Sequence, residues 1–266
     1  MISIMSLNFA AAVPHPPIII PEIGKDNLVI AEKTVSAMKK LAEKFEQADV
    51  DSIIIISPHA ELRSYAMTVF TPRDYSGDFA SFGAPEIEQK YSCDKDLALK
   101  IASSCQKADI PIEIETQDLP LDHGVMVPLR YFTNAISRKV KIVEIAFSAL
   151  PRADHLELGR IIGNVASHED DRIAIIASGD LSHRIFDEHY SHYGKKFDQD
   201  IANLIKDNRL SEISNIDEEL VDLAGECGFR SLLILIGALN EKHFKPEFLS
   251  YEAPFGVGYL VANFEL

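Results

Sequence analysis

The sequence predicts one α/β domain spanning residues 1–266, three layers deep, around a central sheet that is mostly parallel or mixed. Three observations carry this. Short apolar runs at 9–13, 52–57 and 173–177 read as strands buried on both faces. Segments of helical periodicity lie between the strands, and alternating strands and helices pack as a sheet covered by helices. Each run then stops at proline, serine or glycine and delivers a histidine just beyond its end: His15, His59 and His183. In open α/β sheets, ligands bind outside the carboxyl ends of the parallel strands.

The opening MISIMSLNFAAAV is apolar but lacks a basic leader and a clear small-residue cleavage site, so it reads as a first strand and not as a signal peptide. Pro14, Pro16, Pro17 and Pro21 remove backbone donors from the next segment, which must be an irregular loop. Over 27–45, Leu28, Ala31, Val35, Met38 and Leu41 fall near one face of a helix. Strands follow at 52–57 and 66–71, then a loop at 73–89 rich in Asp, Gly and Pro. A helix covers 94–107 with Asp94 as its N-cap, and a strand covers 110–116. A second loop, DLPLDHGVMVP at 118–128, leads into a helix over 127–136 that starts after Pro128. A strand at 141–147 and a helix at 156–165 precede RIAIIASGDLSH at 172–183. Beyond it come a helix at 190–204 with Lys195, Lys196 and Asp200 outward, and short helical pieces at 210–213 and 218–223. A very apolar helix at 228–239 packs on the sheet, and 248–262, with Gly256 and Gly258, forms a terminal strand pair.

A net charge of -15 disfavours nucleic acid and anionic membranes as partners. An anionic substrate would need a local cation, such as a metal ion. No stretch reaches the ~18 apolar residues that span a bilayer. Cys93, Cys105 and Cys227 share no metal-type spacing, and so sparse a count fits a reducing cytosol and a cytoplasmic protein. A homo-oligomer is one way to cover the apolar termini.

The histidines fall into two classes. His155, His168, His189, His192 and His243 lie in polar surroundings and read as exposed or satisfied side chains. His15, His59, His123 and His183 sit in loops flanked by Pro, Gly, Ser or Asp. One such histidine is unremarkable, whereas four at the same kind of topological position read as a shared site. Two neutral imidazoles and a carboxylate make a facial set for Fe(II), and the same set holds a catalytic Zn(II). Histidines not bound to metal can move protons near neutral pH. There is no HExxH, so the ligands must converge from distant segments.

The segments VPHPPIIIPEIG, ISPHA, LDHGVMVPL, ASGDLSH and AGECGFRSLLILIGAL resemble the class III extradiol ring-cleavage dioxygenases, relatives of the catalytic subunit of protocatechuate 4,5-dioxygenase. The resemblance covers nearly the whole chain. It implies a phosphorylase/hydrolase-like α/β domain, a mononuclear non-haem Fe(II), and O2-dependent opening of a catechol- or aminophenol-type ring. His15 and His59 match the first two metal ligands, His183 the acid/base on the substrate hydroxyl, and His123 the histidine facing substrate and oxygen. Glu226 is the match to the third ligand, a glutamate near the start of the late apolar helix. Cys227-Gly228 instead resembles Memo-like members of the superfamily, in which a cysteine occupies this place; Glu252 (SYEAPFG) is a third candidate. A carboxylate is the harder donor and suits Fe(II), while a thiolate favours zinc-like metals. Glu226 also reads as an ordinary carboxylate at a helix N-terminus, and Cys227 as a small buried hydrophobe. Asp180 either orients His183 or His15 or caps the turn that follows it. The expectation is an Fe(II)-dependent extradiol dioxygenase, with Zn(II) as the alternative metal and a Memo-like metal-binding or redox-signalling protein as the alternative function.

Overall fold

The computed structural model describes residues 6–240 and 242–266, so the expected first strand is seen from Leu7 and residues 1–5 lie outside the described part. Ten strands form one mixed sheet: β1 (Leu7–Val13), β2 (Ser52–Ser57), β3 (Met67–Phe70), β4 (Asp74–Phe79), β5 (Ala84–Cys93), β6 (Ile112–Glu115), β7 (Lys141–Ala146), β8 (Ile173–Ser178), β9 (Lys245–Glu252) and β10 (Tyr259–Glu265). The α-helices are α1 (Pro21–Gly24), α2 (Glu32–Ala48), α3 (Lys95–Lys107), α4 (His123–Asn134), α5 (Arg152–Ala166), α6 (Ser191–Lys206), α7 (Glu218–Ala224) and α8 (Phe229–Leu239).

The middle of the sheet runs β5-β7-β2-β8-β1, all parallel. Antiparallel strands close it on both sides: β4 beyond β5, and β10 then β9 beyond β1. Successive residues of a strand face opposite layers. Accordingly Ile54 and Ile56 pack in one core with α3, α5, α6 and α8, whereas Ile53 and Ile55 pack in a second core with α2 and α4. That double burial is why these strands read as unbroken apolar runs. The paired amino ends of β2 and β8 are tied by Asp51, whose two carboxylate oxygens accept from Arg172 Nε and Nη2 at 2.9 Å each.

Hydrogen bonds from Arg172 hold the Asp51 carboxyl down to about 2. Its stabilisation is therefore present above the unfolded carboxylate range and is lost as pH falls from about 4 towards 2. The pair is partly exposed, so Asp51→Asn should cost about 1 kcal/mol at neutral pH. Melting curves of mutant and wild type should draw together from pH 4 and meet near pH 2; a constant gap over that range would refute the link.

Two expected loops are ordered differently. Segment 73–89 forms most of the β4–β5 hairpin. Its pattern is a half-buried alternation, with Tyr75 and Phe79 inward and Asp74, Ser76 and Asp78 outward. Asp, Ser and Gly, poor strand formers, hid that period. The helix expected to begin after Pro128 begins at His123, and Pro128 lies inside it. Asp122 supplies the reason, because its carboxylate accepts the Val125 N–H at 3.1 Å and caps α4. The helix expected at 27–45 starts at Glu32, after a 3-10 turn at Lys25–Val29.

Candidate functional site

The three parallel strands β1, β8 and β2 end nearly flush, with Val13 opposite Ser178 and Ile56 opposite Ala177. His15, His59 and His183 leave from these ends, and α4 brings His123 to the same place. The His15 and His59 Nε2 atoms are 2.9 Å apart. The His123 ring stacks on His59 at 4.2 Å between centroids. Cys227 Sγ lies 3.7 Å from His15 Nε2. Ligand atoms of His15, His59 and Cys227 all fall within 4.8 Å of one another, as do those of Asp180, His183 and Cys227. The four expected imidazoles therefore meet, with buried His15 as the floor.

Two serines at strand ends build this floor. Ser57 donates to the Asp122 carboxylate at 2.8 Å and accepts the His59 N–H at 3.3 Å, joining β2 to the cap of α4. Ser178 donates to the Gly124 carbonyl and lies 2.9 Å from His15 Nδ1. Pro128 has no N–H, so the Gly124 carbonyl lacks its usual donor four residues on. Ser178 fills that vacancy. Having spent its one hydrogen there, the Ser178 hydroxyl can only accept from His15. The His15 proton therefore sits on Nδ1, and Nε2 keeps its lone pair directed at His59 and Cys227.

A close backbone approach places Cys227. A Cβ on Gly179 would stand 2.1 Å from Gly228 Cα, so the end of β8 and the turn before α8 touch only because both positions are glycine. The contact sets the Cys227 N–H 3.3 Å from the Asp180 carbonyl and the Asp180 N–H 3.3 Å from Cys227 Sγ. The Asp180 carboxylate accepts the His15 N–H at 3.1 Å, with its other oxygen 3.8 Å from His15 Nε2. His183 is pinned through its N–H to the Gly225 carbonyl at 3.1 Å, and Ser182 donates to the Ala224 carbonyl at 2.7 Å.

Burial, then the neighbouring imidazoles, pushes His15 well below the ordinary histidine range. Burial lowers His123 to about 4 and also lowers His59 and His183, so all four rings are neutral near pH 7. Burial raises Asp180 to about 7 and pushes the Cys227 thiol up. Neutral imidazoles are donors to a metal ion or acceptors of a proton, and a bound cation would favour the ionised carboxylate and thiolate.

Of the three candidates for a third donor, Cys227 has its ligand atom in the cluster and the two glutamates do not, among the described residues. Glu226 turns the other way and accepts the Phe229 N–H at the start of α8. Glu252 accepts from Thr34 N and Oγ1 at 2.7 Å each and holds the first turn of α2. Both carboxylates do what helix N-termini ask of them. His155 is buried, its Nδ1 donating to the Pro151 carbonyl at 2.9 Å and its Nε2 accepting the Ser148 N–H at 3.4 Å, a satisfied core histidine. The sequence reading missed Ser57, Asp122 and Ser178. A serine ending β2 and another ending β8, with an aspartate directly before His123, were the available signals.

The donors present fit a divalent transition ion, since two imidazole nitrogens and a sulfur suit tetrahedral zinc or a thiolate-ligated iron. They do not assemble the two-histidine, one-glutamate set expected from the sequence.

A family model described as the catalytic LigB subunit of aromatic ring-opening dioxygenase matches residues 9–262. Protein CA_C1420 of Clostridium acetobutylicum is 36% identical over 272 residues, covering 98% of this chain but 58% of that protein. The 3,4-dihydroxyphenylacetate 2,3-dioxygenase of Escherichia coli is 25% identical over 252 residues, covering 88% of this chain and 90% of the other. The 2,3-dihydroxyphenylpropionate/2,3-dihydroxicinnamic acid 1,2-dioxygenase 1 of Dechloromonas aromatica is 28% identical over 157 residues, 56% of this chain and 48% of that one. The chain thus spans little more than half of the Clostridium protein. The crystal structure of uncharacterized protein JW3007 from Escherichia coli K12 superposes with a TM-score of 0.64 at 18% identity, over 96% of this chain and 98% of that one, and shares its fold. With residues 9–262 matched from the first strand to the last, the chain belongs to the family of catalytic LigB subunits of aromatic ring-opening dioxygenases.

Proposed function

We propose that this domain is a metal-dependent ring-opening dioxygenase acting with O2 on an aromatic that carries adjacent hydroxyl or amino substituents. The observation that carries the reading is the meeting of His15, His59, His123 and His183 from four distant segments. His15, His59 and Cys227 would hold the ion, Fe(II) for reaction with O2, with Zn(II) as the inert substitute. When bound, the ion supplies the Lewis acidity that lowers the pKa of a ring hydroxyl. His183, neutral and exposed at the mouth, takes the hydroxyl proton and returns it as the ring opens. His123, stacked on His59, donates a hydrogen bond to charge developing on oxygen. Asp180 orients His15 from behind. The E. coli and D. aromatica relatives are named for catechol-type acids, which supports the ring and the two hydroxyls as the recognised unit. The free thiols of Cys93, Cys105 and Cys227 are consistent with a reducing compartment such as the cytoplasm.

The test is anaerobic Fe(II) reconstitution followed by oxygen uptake over catechols and aminophenols. His183→Ala should retain the metal and lose ring opening by ~100-fold or more. Ring opening at the wild-type rate in that variant would sink the assignment. Cys227→Ala should lose most of the bound metal and Glu226→Gln almost none; the reverse would restore Glu226 as the ligand.

Cys227 favours a second reading, a Memo-like metal-binding or redox-signalling protein on the same scaffold. A sulfur donor where a carboxylate was expected shifts the preference towards softer ions. Stoichiometric copper or zinc with no oxygen uptake on any catechol would establish it.

A further inference from the structure

Beside the histidine cluster lies a separate cavity of about 230 Å³ that shares His59 with it. Whole-ligand sites generally run to ~300–1,000 Å³, so this space takes a substituent and not a complete molecule. Phe70 and Tyr75 line it, and the charged side chains on its wall are Glu61, Asp122 and Glu144. Neither lysine nor arginine lines it among the described residues. Glu144 is the unusual member. It is the one acidic residue of β7, KIVEIA, and is 6% exposed. Its backbone N–H is taken by the Tyr75 hydroxyl at 3.2 Å, yet nothing among the described residues donates to its carboxylate. A buried acid without a partner is costly unless something else supplies the counter-charge or the donor. Burial accordingly drives its carboxyl well above the ordinary range, with Asp122 adding to the effect.

Resting on the ring-opening reading above, we propose that this cavity is a subsite for a cationic arm of the substrate, so that the aromatic taken by this chain carries an alkylammonium group on its ring. The ring hydroxyls would lie at His15 and His59, and the arm would pass His59 to reach Glu144. There the ammonium donates to the Glu144 carboxylate beside the aromatic residues Phe70 and Tyr75, an environment that favours cations. The net charge of -15 acts in the same direction at longer range. A carboxylate-bearing arm in the same place would meet no lysine or arginine among the described lining residues, and could pair with Glu144 only while that group keeps its proton, two acids sharing one hydrogen in place of an ion pair.

The experiment is anaerobic calorimetric titration of the zinc-loaded chain with catechol, 4-(2-aminoethyl)catechol and 4-(carboxymethyl)catechol. The amine should bind at least ten-fold more tightly than the acid. Glu144→Gln, nearly isosteric, should erase that preference while leaving catechol itself unchanged. Equal affinities of the wild type for amine and acid overturn the subsite, and this comparison stands even if the variant fails to fold. A preference that survives in Glu144→Gln overturns it as well. Catechol failing to bind would instead sink the ring-opening reading, and the subsite with it.

Discussion

Gly179→Val is expected to lower the melting temperature by roughly 6–12 °C and to abolish binding of a divalent ion. A Cβ at this position meets Gly228 Cα at 2.1 Å and Gly228 N at 3.0 Å. Both obstacles are backbone, so no side-chain rotation relieves them, and the turn before α8 must move away from the end of β8. Overpacking of this kind costs about 3 kcal/mol. The same movement carries Cys227 off, breaking its hydrogen bonds with Asp180. Calorimetry and zinc retention after desalting test the two consequences separately. A variant that melts like wild type and keeps its zinc would show that the glycine contact does not set the site.

His15→Ala is expected to weaken metal binding by well over 100-fold while leaving the sheet assembled. His15 is 1% exposed and stands near three other donors: His59 at 2.9 Å, Cys227 at 3.7 Å and Asp180 at 3.8 Å. Ser178→Ala should do part of the same damage without touching a ligand. Loss of an orienting partner generally costs ~10–100-fold in metal affinity. Competition with a chromophoric chelator gives both numbers. Ser178→Ala binding as tightly as wild type would refute the assigned tautomer, and His15→Ala doing so would remove the centre from this position.

The imidazoles were legible in the sequence because of how parallel sheets are buried. SIIIIS and IAIIAS have helices on both faces and advertise their ends without ambiguity. The β4–β5 hairpin was not legible, since only one face of DYSGDF packs inward and its polar residues look like a loop. Pro128 reads as a start signal in the sequence, although the capping aspartate upstream begins the helix at His123. Which side chain of the turn before α8 reaches the cluster depends on a single step of register. Composition cannot tell Glu226 from Cys227 there, because which side chain faces the cluster follows from the Gly179–Gly228 contact. Glu144 was visible as an acid in an apolar strand, but its meaning required knowing that a cavity opens on it.

The proline within α4 has one more consequence. Most helices that drift from a neighbouring sheet fall back on their own ladder, since each carbonyl released outside is reclaimed within. The Gly124 carbonyl has no such refuge, because residue 128 carries no hydrogen to offer it. Partial detachment of α4 from β8 would strand an acceptor, so intermediate positions are penalised and the seated one is favoured. The imidazole beneath is thereby braced by an arrangement that tolerates little wandering.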